Sequence, residues 1–238
     1  MKIGLFIPCF INQFYPNVGI ATLKLLRSFG FDVHYPIDQT CCGQSLANSG
    51  YQKNTKEIDE HFDQVFDPYD NIVAPAGSCI FYIKTYSGNR NKYRERLFEL
   101  SEFLIKQNVL EQITSHYPRN VGIINSCHGL RGLQLGKSSE LAGDDHSTLT
   151  TILSKVKDLK MIHLDRSDEC CGFGGTFSIK EPELSVKMGR DRLKDFIKNG
   201  AEVITGTDVS CLMHLDGIIR KNNYRLETKH YSEILYQT

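Results

Sequence analysis

Asp38-Gln-Thr-Cys-Cys-Gly43 and Ser167-Asp-Glu-Cys-Cys-Gly172 are two versions of one phrase. Each sets an adjacent cysteine pair before a glycine, and each stands between two single cysteines. Cys9 and Cys79 flank the first, and Cys127 and Cys211 flank the second. The eight cysteines of the chain thus form two quartets of one pattern. The likeness continues away from the cysteines. Ala76-Gly-Ser-Cys79 parallels Asp208-Val-Ser-Cys211, Tyr93-Arg94 recurs as Tyr224-Arg225, and Ser101-Glu102 recurs as Ser232-Glu233 at the same offset. Matches on and off the cysteines mark a duplicated unit.

Outward from these phrases, strand and helix patterns alternate. In the first half, Lys2–Ile7 reads as a buried strand leading to Cys9. A helix over Val18–Phe29, stopped by Gly30, is followed by a strand over Phe31–Tyr35 that leads to Cys41 and Cys42. Lys56–Phe66 reads as a helix, Asn71–Ala74 as a strand ending at Cys79, and Arg94–Lys106 as one helix closing the unit. In the second half, strands over Asn120–Asn125, Lys160–Leu164 and Glu202–Gly206 lead to Cys127, to Cys170 and Cys171, and to Cys211. Helices over Ser147–Val156 and from Pro182 to Asn199 lie between them. Alternation of this kind predicts an α/β fold, with mainly parallel sheets covered by helices. The polar stretch 108–119, with Pro118, places the division into domains at 1–112 and 113–238, a pseudo-twofold pair being the natural product of a duplication.

Composition narrows the functional classes. The 238 residues are 40% hydrophobic and 24% charged, enough for a packed core. Lys and Arg balance Asp and Glu at 28 each, so no basic excess points to nucleic acid. No run approaches the ~20 apolar residues of a membrane span, and the N-terminus does not read as a signal peptide, so a cytoplasmic location is expected. In that compartment cysteines stay reduced and serve as metal ligands or nucleophiles rather than as staples.

Three cysteine-bearing segments per unit, each following a strand, converge where α/β sheets gather their ligands, beyond the carboxyl ends of the strands. Four thiolates per unit are the soft donors that iron–sulfur clusters and zinc select. Gly43 and the run Gly172-Phe-Gly-Gly175 open the backbone so that N–H groups approach sulfur. Cys79 and Cys211 precede apolar stretches that could begin helices, and a helix N-terminus favours a thiolate. Structural zinc remains open, although the paired Cys-x-x-Cys knuckles usual for it are missing. His128, His214 and Asp208 lie near the cysteines in sequence. Each reads either as a participant in the site or as an ordinary hydrogen-bonded residue, and for Asp208 the ordinary role is a cap on the helix that follows it.

Taken together, Asp38-Gln-Thr-Cys-Cys-Gly-Gln44, Asn48-Ser-Gly-Tyr51, Cys170-Cys-Gly-Phe-Gly-Gly-Thr-Phe-Ser178 and Ser210-Cys-Leu-Met-His214 resemble the cysteine-rich CCG domain family, and within it the lactate utilisation protein A group, LutA/YkgE. The family also contains a component of heterodisulfide reductase and the glycolate oxidase iron–sulfur subunit. The resemblance runs over essentially the whole chain. It implies an iron–sulfur electron-transfer subunit of a complex oxidising L-lactate to pyruvate, with partner subunits that include a ferredoxin-type iron–sulfur protein. It further implies one [4Fe–4S] cluster per domain, held by Cys9, Cys41, Cys42 and Cys79 and by Cys127, Cys170, Cys171 and Cys211. The heterodisulfide reductase relative holds noncubane clusters through five cysteines per site, ending in Cys-x-x-Cys. Here Ala76 and Asp208 stand in place of the first cysteine of that pair, which leaves a cubane open as well as a noncubane form, with zinc at one site as a further possibility. Two alternatives remain beside this reading: a thiol–disulfide reductase of the heterodisulfide type, and a zinc-stabilised assembly module. No residue is marked as a catalytic acid or base.

Overall fold

The computed structural model of the chain describes residues 1–88, 90–142 and 145–236. Two four-stranded sheets organise it. The first has the order β2-β1-β3-β4, with β1 at Lys2–Leu5, β2 at Asp32–His34, β3 at Asn71–Ala74 and β4 at Leu97–Glu99. The second repeats that order as β6-β5-β7-β8, with β5 at Asn120–Ile124, β6 at Lys160–Ile162, β7 at Val203–Gly206 and β8 at Glu227–Thr228. Every pairing is parallel, from Ile3 beside Val33 and Asn71 to Val121 beside Met161 and Val203. Parallel strands need crossovers and lie covered on both faces, which is why Ile3, Leu5, Ile72, Val73, Val203 and Ile204 are buried while the helices carry the polar residues.

The helices fall where periodicity places them. Lys56–Phe66 and Asn71–Ala74 match their expected bounds, and Pro182 takes the first turn of a helix that runs to Lys198. Phe62 and Phe66 of the former stack on each other at 4.5 Å and both meet Phe6 edge to face. One expectation is corrected. The segment Arg94–Lys106 is not a single helix: Leu97–Glu99 forms β4 beside β3, and only Leu100–Lys106 is helical. Leu97 and Phe98 gain more by closing the sheet edge than by extending a helix, and Glu99 then caps the helix by accepting from Ser101 N at 2.7 Å. Its equivalent, β8, precedes the helix Tyr231–Leu235, which His230 caps in the same way.

The halves are bound into one body. Helix Leu100–Lys106 of the first packs on Thr148–Leu153 of the second, and Tyr231–Leu235 of the second packs on Pro16–Ser28 of the first. These are equivalent elements exchanged, the reciprocity of a twofold interface. A single apolar core runs through the seam, joining Ile3, Val73 and Phe103 to Val121, Ile152, Val203 and Ile234. A smaller core of Leu193, Phe196, Leu212 and Leu215 lies within the second half.

Candidate metal centre

In each sheet three adjacent strands deliver sulfur from their carboxyl ends. β1 runs into Cys9, the first residue of the short helix Cys9–Phe14; β2 leads to Cys41 and Cys42; β3 leads to Cys79 in the first turn of the helix Gly77–Thr85. The second sheet repeats this with Cys127 after β5, Cys170 and Cys171 after β6, and Cys211 in the first turn of Val209–Asn222. The orders β2-β1-β3 and β6-β5-β7 put the strand that leads to Cys9 or to Cys127 between the other two cysteine-bearing strands of its sheet.

The sulfurs of each quartet form a connected file. Cys9 Sγ donates to Cys41 Sγ at 3.6 Å, and Cys42 Sγ links Cys41 to Cys79. Cys127 bonds to Cys170, Cys170 to Cys171, and Cys171 Sγ donates to Cys211 Sγ at 3.0 Å. None of the eight is in a disulfide. Cys42, Cys79, Cys171 and Cys211 are buried, and Cys9, Cys41, Cys127 and Cys170 are half-buried. Each quartet therefore has a dry end and a wet end.

Electrostatics single out the first cysteine of each adjacent pair. Hydrogen bonds from Cys42 and Cys9 hold the Cys41 thiol far below its ordinary value, and the N–H of Gly43 adds to them at 3.4 Å. Cys170 is held down equally by Cys127 and Cys171, with Gly172 N at 3.4 Å. The donors respond in the opposite sense. Cys9 and Cys42 are raised by their bonds to Cys41 and by burial, as are Cys127 and Cys171 by their own partners.

The glycine after each pair is required by the turn. Gly43 and Gly172 both have left-handed backbones, with φ of 87° and 91°. At Gly172 a Cβ would also meet Ser185 O at 2.6 Å and Met188 Cβ at 2.8 Å. Ser185 Oγ donates to Gly172 O at 2.8 Å, which ties the pair to the start of the helix Pro182–Lys198.

The neighbouring polar residues divide as follows. Asp208 does not cap the helix that follows it. Its Oδ1 accepts from Ser78 N at 2.8 Å, at the N-terminus of the equivalent helix in the other half, where Gly77 leaves room for it. His214 lies near Cys170, bonds to Ser185 O at 3.2 Å, and has its pKa lowered by burial. His128 stacks on Phe81 with centroids 5.1 Å apart. Sequence reasoning missed the pair Glu99 and His230 altogether. Both are buried, at equivalent N-cap positions, and Tyr231 donates to Glu99 Oε1 at 2.6 Å. The matched Ser-Glu dipeptides that follow them were the available signal. An open cavity of about 670 Å³ lies between Val209–Asn222 and β8, lined by Asp216, Arg220, Tyr224 and Glu233, and no cysteine borders it.

Four converging sulfurs with amide donors fit a thiolate-ligated centre. Among the described residues no three His, Cys, Asp or Glu side chains are set around a common point as the ligands of a single ion would be. The quartets are files of sulfurs in contact. No helix among the described residues is long and apolar enough to cross a membrane.

Comparison with known proteins agrees with this architecture. The cysteine-rich CCG domain family matches residues 3–84 and 121–216, a segment in each half. Lactate utilization protein A 1 of Bacillus mycoides is 32% identical over 99% of this chain and 96% of its own. Lactate utilization protein A of Exiguobacterium sp. is 33% identical over 98% and 96%, and that of Bacillus pumilus 32% identical over 99% of both chains. Among solved structures, glutamate racemase RacE1 of Bacillus anthracis aligns over 98% of this chain and 78% of its own at 10% identity and a TM-score of 0.38, too remote to inform the fold or the site. With two matched segments and relatives of full length, the chain belongs to the cysteine-rich CCG domain family and, within it, to the group of its lactate utilization protein A relatives.

Proposed function

We propose that this protein is an iron–sulfur electron-transfer subunit acting in lactate utilisation, in a cytoplasmic complex that oxidises L-lactate to pyruvate. One observation carries the reading: two matched sulfur quartets at the strand ends of duplicated sheets, in a chain whose relatives over nearly their full length are named Lactate utilization protein A. Cys9, Cys41, Cys42 and Cys79 would hold one [4Fe–4S] centre, and Cys127, Cys170, Cys171 and Cys211 the other, in domains taken as 1–112 and 113–238. When bound, such a centre supplies reversible one-electron storage. The chain's own residues provide the remainder. Buried Cys42, Cys79, Cys171 and Cys211 anchor the dry side, the N–H groups of Gly43 and Gly172 stabilise negative charge on sulfur, and half-buried Cys9, Cys41, Cys127 and Cys170 leave the other side open to a partner. That partner is expected to include a ferredoxin-type iron–sulfur protein. Anaerobic preparation and reconstitution, followed by iron, sulfide and zinc analysis, tests the proposal. Iron and sulfide in both quartets are expected, negligible amounts after reconstitution would overturn it, and zinc alone would favour the assembly module.

The contact of Cys171 and Cys211 sulfurs at 3.0 Å supports a second reading, a thiol–disulfide reductase. One of these two sulfurs, as thiolate, would attack a substrate disulfide and release the first substrate thiol, and the other would then attack the resulting mixed disulfide, release the second thiol and close a Cys171–Cys211 disulfide, so that two electrons and two protons pass to the substrate disulfide. Reversible two-electron titration of the metal-free protein would support it, and a titration showing only independent thiols would exclude it.

A further inference from the structure

Arg192 is the largest fully buried side chain among the described residues. It lies in the helix Pro182–Lys198 and pairs with Asp195, also buried, at 3.0 Å. A guanidinium is costly to desolvate, and apolar residues in place of a buried ion pair often serve stability as well or better. This pair instead holds backbone. Arg192 Nη1 donates to Arg166 O at 2.6 Å, while Asp195 Oδ1 accepts from Asp165 N and Oδ2 from Arg166 N, both at 3.1 Å. Asp165 and Arg166 are themselves exposed, where water could satisfy the same groups, so the effect of the pair is to fix position. Their loop runs from β6 to Cys170. Past the cysteine pair, Ser185 Oγ of the same helix donates to Gly172 O at 2.8 Å. One helix therefore grips the chain on both sides of Cys170 and Cys171. The first quartet is tethered otherwise: Gln39 Oε1 accepts from Ile7 N at 2.6 Å, and His61 Nε2 donates to Asp38 O at 2.6 Å on the surface.

We propose that Arg192 and Asp195 are positioning residues for the second quartet, a buried ion pair that fixes the approach to Cys170 and Cys171 so that their sulfurs stand in line between Cys127 and Cys211. The inference rests on the quartets being the working site, whether for an iron–sulfur centre or for thiol exchange, and it concerns the chain before any group is bound. Of the guanidinium nitrogens, Nη1 carries the assignment. Nε and Nη2 have no hydrogen-bond acceptor among the described residues, and the group lies 5.1 Å from the centre of the Phe196 ring. Glu169 Oε2, beside Cys170, is 3.9 Å from Nη1, beyond hydrogen-bond reach. A lysine nitrogen in place of Nη1 has donors enough for both Arg166 O and Asp195, whereas methionine fills the space with no donor.

The test uses the full chain, reduced and metal-free, with alkylation of each cysteine in native buffer followed by peptide mass spectrometry. Arg192→Met should speed alkylation of Cys171 by about tenfold while Cys42, Cys79 and Cys211 stay within about twofold of the parent, because only the loop before the cysteine pair is released. Arg192→Lys should stay near the parent at all four. Arg192→Met leaves Asp195 buried without its partner. Should it not fold, Arg192→Met/Asp195→Leu removes both charges and should show the same selective rise. Leu226→Ala is the control for lowered stability: it lies in the same small core, beside the open cavity that no cysteine borders, and should show no preference for Cys171. A Cys171 rate within about twofold of the parent in the folded variant would overturn the proposal. So would an equal rise at Cys42, Cys79 and Cys211, which would mark general loosening. Iron and sulfide do not enter the measurement, so their absence after reconstitution would bring down the iron–sulfur reading and leave this result standing.

Discussion

At the scale of single residues, the buried pair at equivalent helix caps makes two opposed contributions to the pH response. Burial raises the Glu99 carboxyl from 4.5 to about 7, and burial lowers the His230 imidazole from 6.5 to about 3. The folded state thus holds the Glu99 proton more tightly than the unfolded chain does. Stability from that site is complete below 4.5 and is lost as pH rises through 7. His230 works in the opposite sense: its contribution is complete above 6.5 and is lost as pH falls through 3. Between 4.5 and 6.5 the two slopes oppose, each about 1.4 kcal/mol per pH unit, so the pair's net contribution is flat there. Glu99→Gln should expose a stability that climbs with pH over this window, and His230→Gln one that falls. Denaturant unfolding at several pH values reads both. The cysteines give a second prediction at this scale. Cys42→Ser should empty the first quartet and leave the second, with iron and sulfide falling by about half, and Cys171→Ser should do the reverse. Loss of all iron from either variant would contradict independent sites.

At the scale of elements, the turn after each cysteine pair is the most constrained piece of backbone. Gly172→Ala adds to a left-handed residue a Cβ that would lie 2.6 Å from Ser185 O, so the turn must lift off the helix Pro182–Lys198. A cost of roughly 1–3 kcal/mol is expected by chemical denaturation, with weakened metal retention at the second quartet alone. Much of this element-level design was legible in the sequence. The strands before Cys9, Cys79, Cys127 and Cys211 are runs of buried aliphatics, and such runs announce themselves. The matched cysteine phrases then predicted two like units, and the sheets have like orders. What escaped was short or contextual. β4 and β8 span three residues and two residues, too few to show a period of their own, and they exist because a neighbouring strand offers an edge. The short helix Cys9–Phe14 likewise lacks a repeat long enough to read. Asp208 was misread because a cap normally serves its own helix, and a sequence gives no hint of a helix end brought in from the other half.

At the scale of the whole molecule, the shared core makes the halves interdependent. A fragment of residues 1–112 loses the cover that Tyr231–Leu235 gives to Pro16–Ser28, together with Val121, Leu149 and Ile152 from the common core. It is expected to lack fixed tertiary structure, with poorly dispersed amide resonances, whereas the full chain should unfold in one transition. Asp208→Ala should weaken that transition by about 1–3 kcal/mol, since Ser78 N is left without its acceptor in a partly buried seam. The position of Asp208 also bears on ancestry. Ala76 occupies the equivalent place in the first half, so the bond across the seam is made in one direction only. Two copies of the first half would lack the acceptor, and two copies of the second would bring a pair of buried acids to one junction. Whatever symmetrical dimer preceded the fusion, the halves have since become a lock and its key, and neither can any longer be exchanged for its twin.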